Sequence, residues 1–262
     1  LKIVNDAENK QLLLYGIGEK QLEIIQSRLV NEYKCEIELS KPKIAFKETI
    51  KKNSDVEYKY KKQSGGHGQY GHVKMRFAPL GDTEQVYKFD QEVVGGAVPK
   101  NFFPAVEKGL VDTFENGPLA GFPVIGVRAV LYDGSYHPVD SNEISFKIAA
   151  SLAFKNAVPV IKPTILEPIM EVQVVVKSDY VGDVMGDLNK RRGAVMGMDP
   201  AAKKGYTVVH ATAPKSELVD YPIALRAMSQ GRGSFEFNVT GYDVVPGNIT
   251  AKVVADQKNK AE

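Results

Sequence analysis

Between Ile169 and Tyr242 the spacing of apolar residues switches between the period of a strand and that of a helix, and the order of the switches leaves few folds open. Ile169 to Val176 reads as a strand, and Val181, Val184, Met185 and Leu188 mark one face of a helix. Ala194 to Met198 and Tyr206 to Ala211 follow as two strands, Leu218 to Met228 as a helix and Ser234 to Tyr242 as a strand. This β-α-β-β-α-β order is the split arrangement of ferredoxin-like sandwiches, with helices on one face of an antiparallel sheet. Beyond Pro246, a tail rich in Lys, Asp and Gln is expected to form a surface helix that frays before Glu262.

Upstream the pattern differs, and 262 residues leave room for two or three domains. Residues 1 to about 40 offer an alternating stretch at Leu12 to Tyr15. A helix follows with Leu22, Ile25, Leu29 and Tyr33 on one face, then a short strand at Glu36 to Leu39. So few elements cover only part of a sheet face, so this segment reads as the second half of a domain and the chain as a fragment.

From Pro42 strands dominate: Lys43 to Ile50, Val56 to Lys62, Tyr70 to Phe77 and about Val86 to Val94. A helix with Pro104 in its first turn presents Phe103, Val106, Leu110 and Phe114 on one face, and Gly117-Pro118 ends it. Val124 to Leu131 is expected as a buried strand and Asp133 to Pro138 as a turn. A helix then starts with Asp140 as N-cap, Glu143 three residues on and Ile144, Ile148 and Leu152 on one face. The segment ends near Ile165.

Catalytic signatures are missing from the sequence. No G-x-x-x-x-G-K-[ST] phosphate cradle occurs, and His67, His72, His137, His210 and Cys35 do not fall at metal-ligand spacing. No carboxylate pair has a spacing that implies acid–base work. One cysteine excludes an internal disulfide and, with no signal-peptide pattern at the start, suits a cytoplasmic protein. No apolar run approaches the roughly 18–20 residues of a bilayer span, so no membrane partner is expected. The net charge is only +2, so any argument for nucleic acid has to be local.

Locally, Ser64-Gly65-Gly66-His67-Gly68-Gln69 joins two strands through a tip stripped of side-chain bulk. Lys51, Lys52, Lys59, Lys61 and Lys62 make the preceding strand basic, and His67, Gln69 and Tyr70 add stacking and hydrogen-bonding groups, a combination that suits RNA. The same pattern also describes a solvated edge hairpin whose lysines block strand addition, and pattern alone leaves the two readings level. Because the loop joins strands and opens no helix, it is a poor phosphate cradle. His137, in Tyr132-Asp133-Gly134-Ser135-Tyr136-His137-Pro138, is either an idle turn histidine or part of a second contact loop. Lys190, Arg191 and Arg192 before Gly193 fit a helix C-terminus through the dipole alone, with RNA contact as the sharper alternative.

These strings, taken in order, resemble the carboxy-terminal part of bacterial elongation factor G. The resemblance is carried by Gly16-Ile17-Gly18-Glu19, Gly65-Gly66-His67-Gly68-Gln69-Tyr70-Gly71-His72-Val73, Gly117-Pro118-Leu119-Ala120-Gly121 and Asp133-Gly134-Ser135-Tyr136-His137. It continues through Leu166-Glu167-Pro168-Ile169-Met170, Gly186-Asp187-Leu188-Asn189 and Gln230-Gly231-Arg232-Gly233-Ser234.

The resemblance implies an α+β, multi-domain chain. Residues 1–40 would be a partial ferredoxin-like domain III and 41–165 a domain IV arm with the ribosomal-protein fold and a left-handed βαβ crossover. Residues 166–262 would be a ferredoxin-like domain V. It further implies that Ser64 to Gln69 and His137 meet tRNA–mRNA in the ribosomal A site, and that Lys190, Arg191 and Arg192 lie near ribosomal RNA and the stalk-base proteins. The fragment would hold no cofactor. GTP and Mg would belong to a GTPase domain elsewhere in a monomeric parent. Lys20-Gln21, His67, Pro138 and Leu218-Val219-Asp220-Tyr221 depart from the commonest family pattern, and point to ribosome recycling or protection as the alternative to translocation.

Overall fold

Strands β1 (Lys2–Asp6) and β2 (Gln11–Tyr15) open the computed structural model as an antiparallel hairpin, followed by helix α1 (Glu19–Asn31). The structure describes all residues except Glu8, Ile17, 64–67, Asp82, Glu84 and Glu262, and only the backbone of Glu19 and 258–261. The chain divides into two units, residues 1–45 with 167–243 and residues 46–166 with 244–262. Leu22, Ile25 and Leu29 are half-buried on α1, whereas Tyr33 lies past its end and is exposed. Glu36 to Leu39, expected as a strand, forms no ladder: Gln26 Nε2 donates to the Ile37 carbonyl at 3.2 Å, and among the described residues β1 pairs with β2 alone. Alternating residues make a strand only where a partner edge is available.

The second unit begins with β3 (Lys47–Ile50), β4 (Ser54–Lys62), β5 (Gln69–Pro79) and β6 (Tyr87–Gln91), then α2 (Phe103–Phe114), β7 (Val127–Ser135) and α3 (Glu143–Ile161). Its sheet runs β4-β5-β7-β6, antiparallel except for the β6–β7 pair, which is parallel and connected through α2. Val73, Met75 and Phe77 of β5 and Val127, Ala129 and Leu131 of β7 pack under α2 and α3. Phe154 meets Phe77 and Phe114 edge-on at 5.2 and 4.9 Å, geometries that ring quadrupoles favour. Gly71 lets β5 run close beneath α3, since a Cβ there would lie 2.5 Å from the Ser145 carbonyl oxygen.

Four expectations for this unit are corrected. Asp133 to Ser135 extend β7 instead of turning, because Asp133 pairs with Lys74 and Ser135 with His72 across a bulge. The N-cap of α3 is Asn142, not Asp140: Asn142 Oδ1 accepts the Ser145 N–H at 2.8 Å. The buried face of α3 carries Phe146, Ala149, Ala150, Ala153, Phe154 and Ala157, while Ile144 is exposed and Ile148 and Leu152 are half-buried. Small alanines let the helix settle onto the sheet, so the bulkier branched residues turn away from it. At 19 residues α3 also has the length and apolar composition of a membrane span, contrary to the sequence reading, but Lys147 and Lys155 interrupt it and its buried face packs on the sheet.

Strand β8 (Pro163–Lys177) pairs first with β3, Lys47 opposite Leu166, and further on with β10 (Tyr206–Pro214). Helix α4 (Val181–Lys190), β9 (Ala194–Pro200), α5 (Tyr221–Met228) and β11 (Ser234–Val244) complete the β-α-β-β-α-β order, with strands in the sequence β11-β8-β10-β9. This is the split topology read from the sequence. Leu218 to Asp220 precede α5 instead of starting it, after a 3-10 turn at Lys215–Glu217 and with Pro222 in the helix's first turn. Val172, Val174 and Val176 bury against Val184, Leu188, Tyr221 and Leu225. The tail is helical, α6 (Gly247–Ala261).

Candidate functional site

Of the first loop, Ser64, Gly65, Gly66 and His67 lie outside the described residues. Gly68 and Gln69 are described, and they set the geometry of that end of the sheet. Gln69 pairs with Lys62 where β4 and β5 join, and its Oε1 accepts from the Tyr60 hydroxyl at 2.8 Å, which leaves its Nε2 hydrogens to donate elsewhere. The Gly68 N–H donates to Asp140 Oδ1 at 2.9 Å. Asp140 belongs to the loop between β7 and α3, so two segments 72 residues apart in sequence meet here.

His137 stands in that second loop. Its Nδ1 accepts the backbone N–H groups of Val139 and Asp140 at 3.3 and 3.1 Å, so the hydrogen-bond network assigns the ring proton to Nε2, on a side chain that is 50% exposed. The His137 N–H donates to Ser141 Oγ, which in turn donates to the Tyr70 carbonyl at 2.9 Å, and the Tyr70 N–H donates to the Asp140 carbonyl at 2.9 Å. The Tyr70 and His137 rings sit 6.3 Å apart, within the range of aromatic contact. The Gly68–Tyr70 segment and the His137–Ser141 segment therefore form one ledge that carries exposed polar groups.

A second layer supports this ledge. His72 is buried, with Nδ1 2.7 Å from Ser135 Oγ and Nε2 2.8 Å from Glu57 Oε1, and the Tyr70 hydroxyl lies 2.7 Å from the same Ser135 Oγ. These partners were not visible in the sequence, because cross-strand pairing and not local spacing joins them.

The basic strand is shorter than the sequence suggested. Lys59, Lys61 and Lys62 stand at the ledge end of β4, exposed and, among the described residues, without a carboxylate in ion-pair range. Lys51 and Lys52 lie before the opposite end of β4, roughly 30 Å of strand away, and their N–H groups donate to the Ile161 carbonyl at the end of α3. Toward that opposite end the sheet charges are paired: Lys74 with Asp133, Arg76 with Glu92 and Arg128 with Asp90. Tyr132 donates to Asp55 at 2.6 Å, and this bond, with burial, pushes its hydroxyl pKa up to about 12. Among the described residues, Lys59, Lys61 and Lys62 thus place three cations without an ion-pair partner beside the ledge, and Lys51 and Lys52 place two more at the opposite end.

The fully buried Glu48 carboxylate of β3 accepts the N–H groups of Leu119, Ala120 and Phe122, in the loop between α2 and β7, at 2.9, 2.8 and 3.2 Å. Burial pushes its pKa up, against the pull of those bonds. Gly117 leaves the space that Glu48 occupies, since a Cβ there would lie 2.4 Å from its carboxyl carbon.

At the end of α4, Lys190 is exposed, whereas both arginines hold partners inside their own unit. Arg191 is 14% exposed; Nε donates to Asp187 at 2.7 Å and Nη1 to the Glu217 carbonyl and Asp220 at 2.6 and 2.7 Å. Arg192 grips both oxygens of the buried Glu167 at 2.6 and 2.9 Å, and its Nε donates to Glu217 at 2.9 Å. The Glu167 bond chiefly holds the Arg192 pKa above its ordinary value, against burial and with help from Glu217. Among the described residues no group of three or more His, Cys, Asp or Glu side chains is placed to hold a metal ion.

Three sequence-family profiles match the chain in succession: "Elongation Factor G, domain III" over residues 1–41, "Elongation factor G, domain IV" over 42–160 and "Elongation factor G C-terminus" over 164–253. The elongation factor G of Aquifex pyrophilus is 46% identical over 256 residues, which are 98% of this chain and 36% of that protein. A crystal structure of a Thermus thermophilus protein superposes with a TM-score of 0.87 at 40% identity, over 98% of this chain and 38% of that one. The chain thus spans little more than a third of the length of each of these relatives.

Proposed function

The chain belongs to the elongation factor G family, and from that premise we propose that it is the ribosome-engaging region of a translation factor that moves tRNA and mRNA. Residues 41–165 act as the arm of domain IV and residues 166–262 as domain V, with 1–40 as the end of domain III. A GTPase domain elsewhere in the parent chain, with GTP and Mg, supplies the driving reaction in the cytoplasm. The ledge then enters the A site and blocks backward movement of tRNA.

The observation that supports this reading best is the joining of the Gly68–Tyr70 and His137–Ser141 segments beside Lys59, Lys61 and Lys62. Slim backbone, ring edges and amide donors read the shape and 2′-hydroxyls of RNA, and lysines without internal partners attract its phosphates. Ser64, Gly65, Gly66 and His67 are assigned to the same contact from their sequence alone. Of Lys190, Arg191 and Arg192, the exposed Lys190 is the cation open to ribosomal RNA, while Arg191 and Arg192 shape the helix end that carries it.

The test is the single-round rate of tRNA–mRNA movement by the full-length protein carrying His137→Ala. A fall of roughly tenfold or more is expected, and an unchanged rate would overturn the reading. A subunit-splitting assay with the recycling factor separates the alternative role. A His137→Ala variant defective in splitting but normal in movement would assign the parent to recycling.

A further inference from the structure

We infer that Asp140 is the positioning residue that makes the two loops one recognition unit, a role that rests on the ribosome-contact reading above. Three of its atoms hold the ledge at once. Oδ1 accepts the Gly68 N–H at 2.9 Å, and the backbone carbonyl accepts the Tyr70 N–H at 2.9 Å. The backbone N–H donates to His137 Nδ1 at 3.1 Å. A single residue thus fixes the backbone of one loop and the imidazole of the other.

The fit leaves little slack. A Cβ on Gly68 would stand 3.0 Å from the Asp140 carboxyl carbon, so glycine at that position brings the N–H within hydrogen-bond range of the carboxylate. The contact lies beside an isolated parallel bridge between Tyr70 and Ser141, reinforced by Ser141 Oγ donating to the Tyr70 carbonyl. Those bonds anchor Tyr70, and the Asp140 carboxylate extends the anchoring to Gly68, the described residue that borders 64–67. Asp140 caps no helix, since Asn142 does that, so its side chain is left to the ledge.

The experiment uses the full-length protein with Asp140→Ala, Asp140→Asn, His137→Ala and the double variant Asp140→Ala/His137→Ala. Amide hydrogen exchange is followed at Gly68, with Leu131 in β7 as a core reference, alongside single-round tRNA–mRNA movement. Asp140→Ala is expected to speed exchange at Gly68 about fivefold, equivalent to loss of one hydrogen bond of ~1 kcal/mol, with Leu131 unchanged. It should also slow movement toward the His137→Ala rate, and the double variant should be no slower than about twofold below the slower single.

Asp140→Asn keeps an oxygen for the Gly68 N–H, and should restore both readouts to within about twofold of the unmodified protein. Unchanged Gly68 exchange in Asp140→Ala, or an Asp140→Asn variant as exposed as the alanine one, overturns the inference. So does normal movement in Asp140→Ala where His137→Ala is slow. If exchange rises but neither variant slows movement, the ribosome-contact reading falls and the positioning role falls with it.

Discussion

Replacing Arg192 by alanine strips the guanidinium from the Glu167 carboxylate, whose side chain is only 3% exposed and which it holds through two bonds of 2.6 and 2.9 Å. A buried charge that loses its partner costs about 3–5 kcal/mol. Ser216 Oγ still donates to Glu167 Oε2 at 3.1 Å, which places the expected loss near ~3 kcal/mol, the lower end of that range.

The backbone supplies an internal control, because Arg192 takes the left-handed conformation, φ +58°, where a Cβ costs about 1 kcal/mol. Arg192→Gly should therefore lose only ~2 kcal/mol, less than the alanine variant despite removing more atoms. Adding Glu167→Gln to Arg192→Ala removes the stranded charge and should return at least ~1 kcal/mol. Urea unfolding with a constant slope reads all three changes. The reasoning is refuted if Arg192→Ala loses less than ~1 kcal/mol, or if glycine proves worse than alanine.

Other outcomes follow from the same structure. The Tyr221 hydroxyl is fully buried with no hydrogen-bond partner among the described residues, and burial pushes its pKa up, so Tyr221→Phe should leave stability unchanged or raise it by up to ~1 kcal/mol in urea unfolding. Asp6, Asp90 and Asp220 are held below their ordinary pKa, chiefly by hydrogen bonds from Gln11, Arg128 and Arg191 respectively. A lowered folded-state value gives stability that is present above the unfolded pKa of 3.8 and lost as pH falls through the folded values. The urea midpoint should therefore hold from neutral pH to about pH 5 and fall as the pH drops through 3.8 and below. Because the Asp220 side chain is 68% exposed, Asp220→Asn should remove less than ~1 kcal/mol of that dependence.

The parts that the sequence made legible share a physical cause. In the carboxy-terminal sandwich, Val172, Val174 and Val176 alternate cleanly with Glu171, Gln173 and Val175 because one sheet face is covered by α4 and α5, so period alone gives the order. Where burial and bulk separate, the reading failed. Phe146, Phe154 and four alanines fill the core side of α3, and the reading followed Ile144, Ile148 and Leu152 to a different face. Asp140 and Asn142 each carry a plausible capping partner three residues on, Glu143 and Ser145, and only the geometry chooses Asn142.

For the site, His137, Gly68 and Gln69 could be named from motif, but their mutual placement could not. Gly68 and Asp140 meet across 72 residues of chain, and His72 finds Ser135 through strand pairing, neither of which leaves a local signal. Likewise, Lys51 and Lys52 lie close to Lys59 in sequence, yet an extended β4 carries them to the far end of the sheet.

Whether the ledge end of β4 and β5 faces RNA in the A site is open to direct measurement. A cysteine at Lys62, beside Gln69 at that end, can carry a tethered hydroxyl-radical source once Cys35 is replaced by serine in the full-length protein. Bound to ribosomes, it should cleave decoding-region ribosomal RNA and A-site mRNA, while the same probe at Lys52 on the opposite end should not cleave those sites. Equal cleavage from both positions, or none from Lys62 on ribosomes that bind the protein, would contradict the proposed contact.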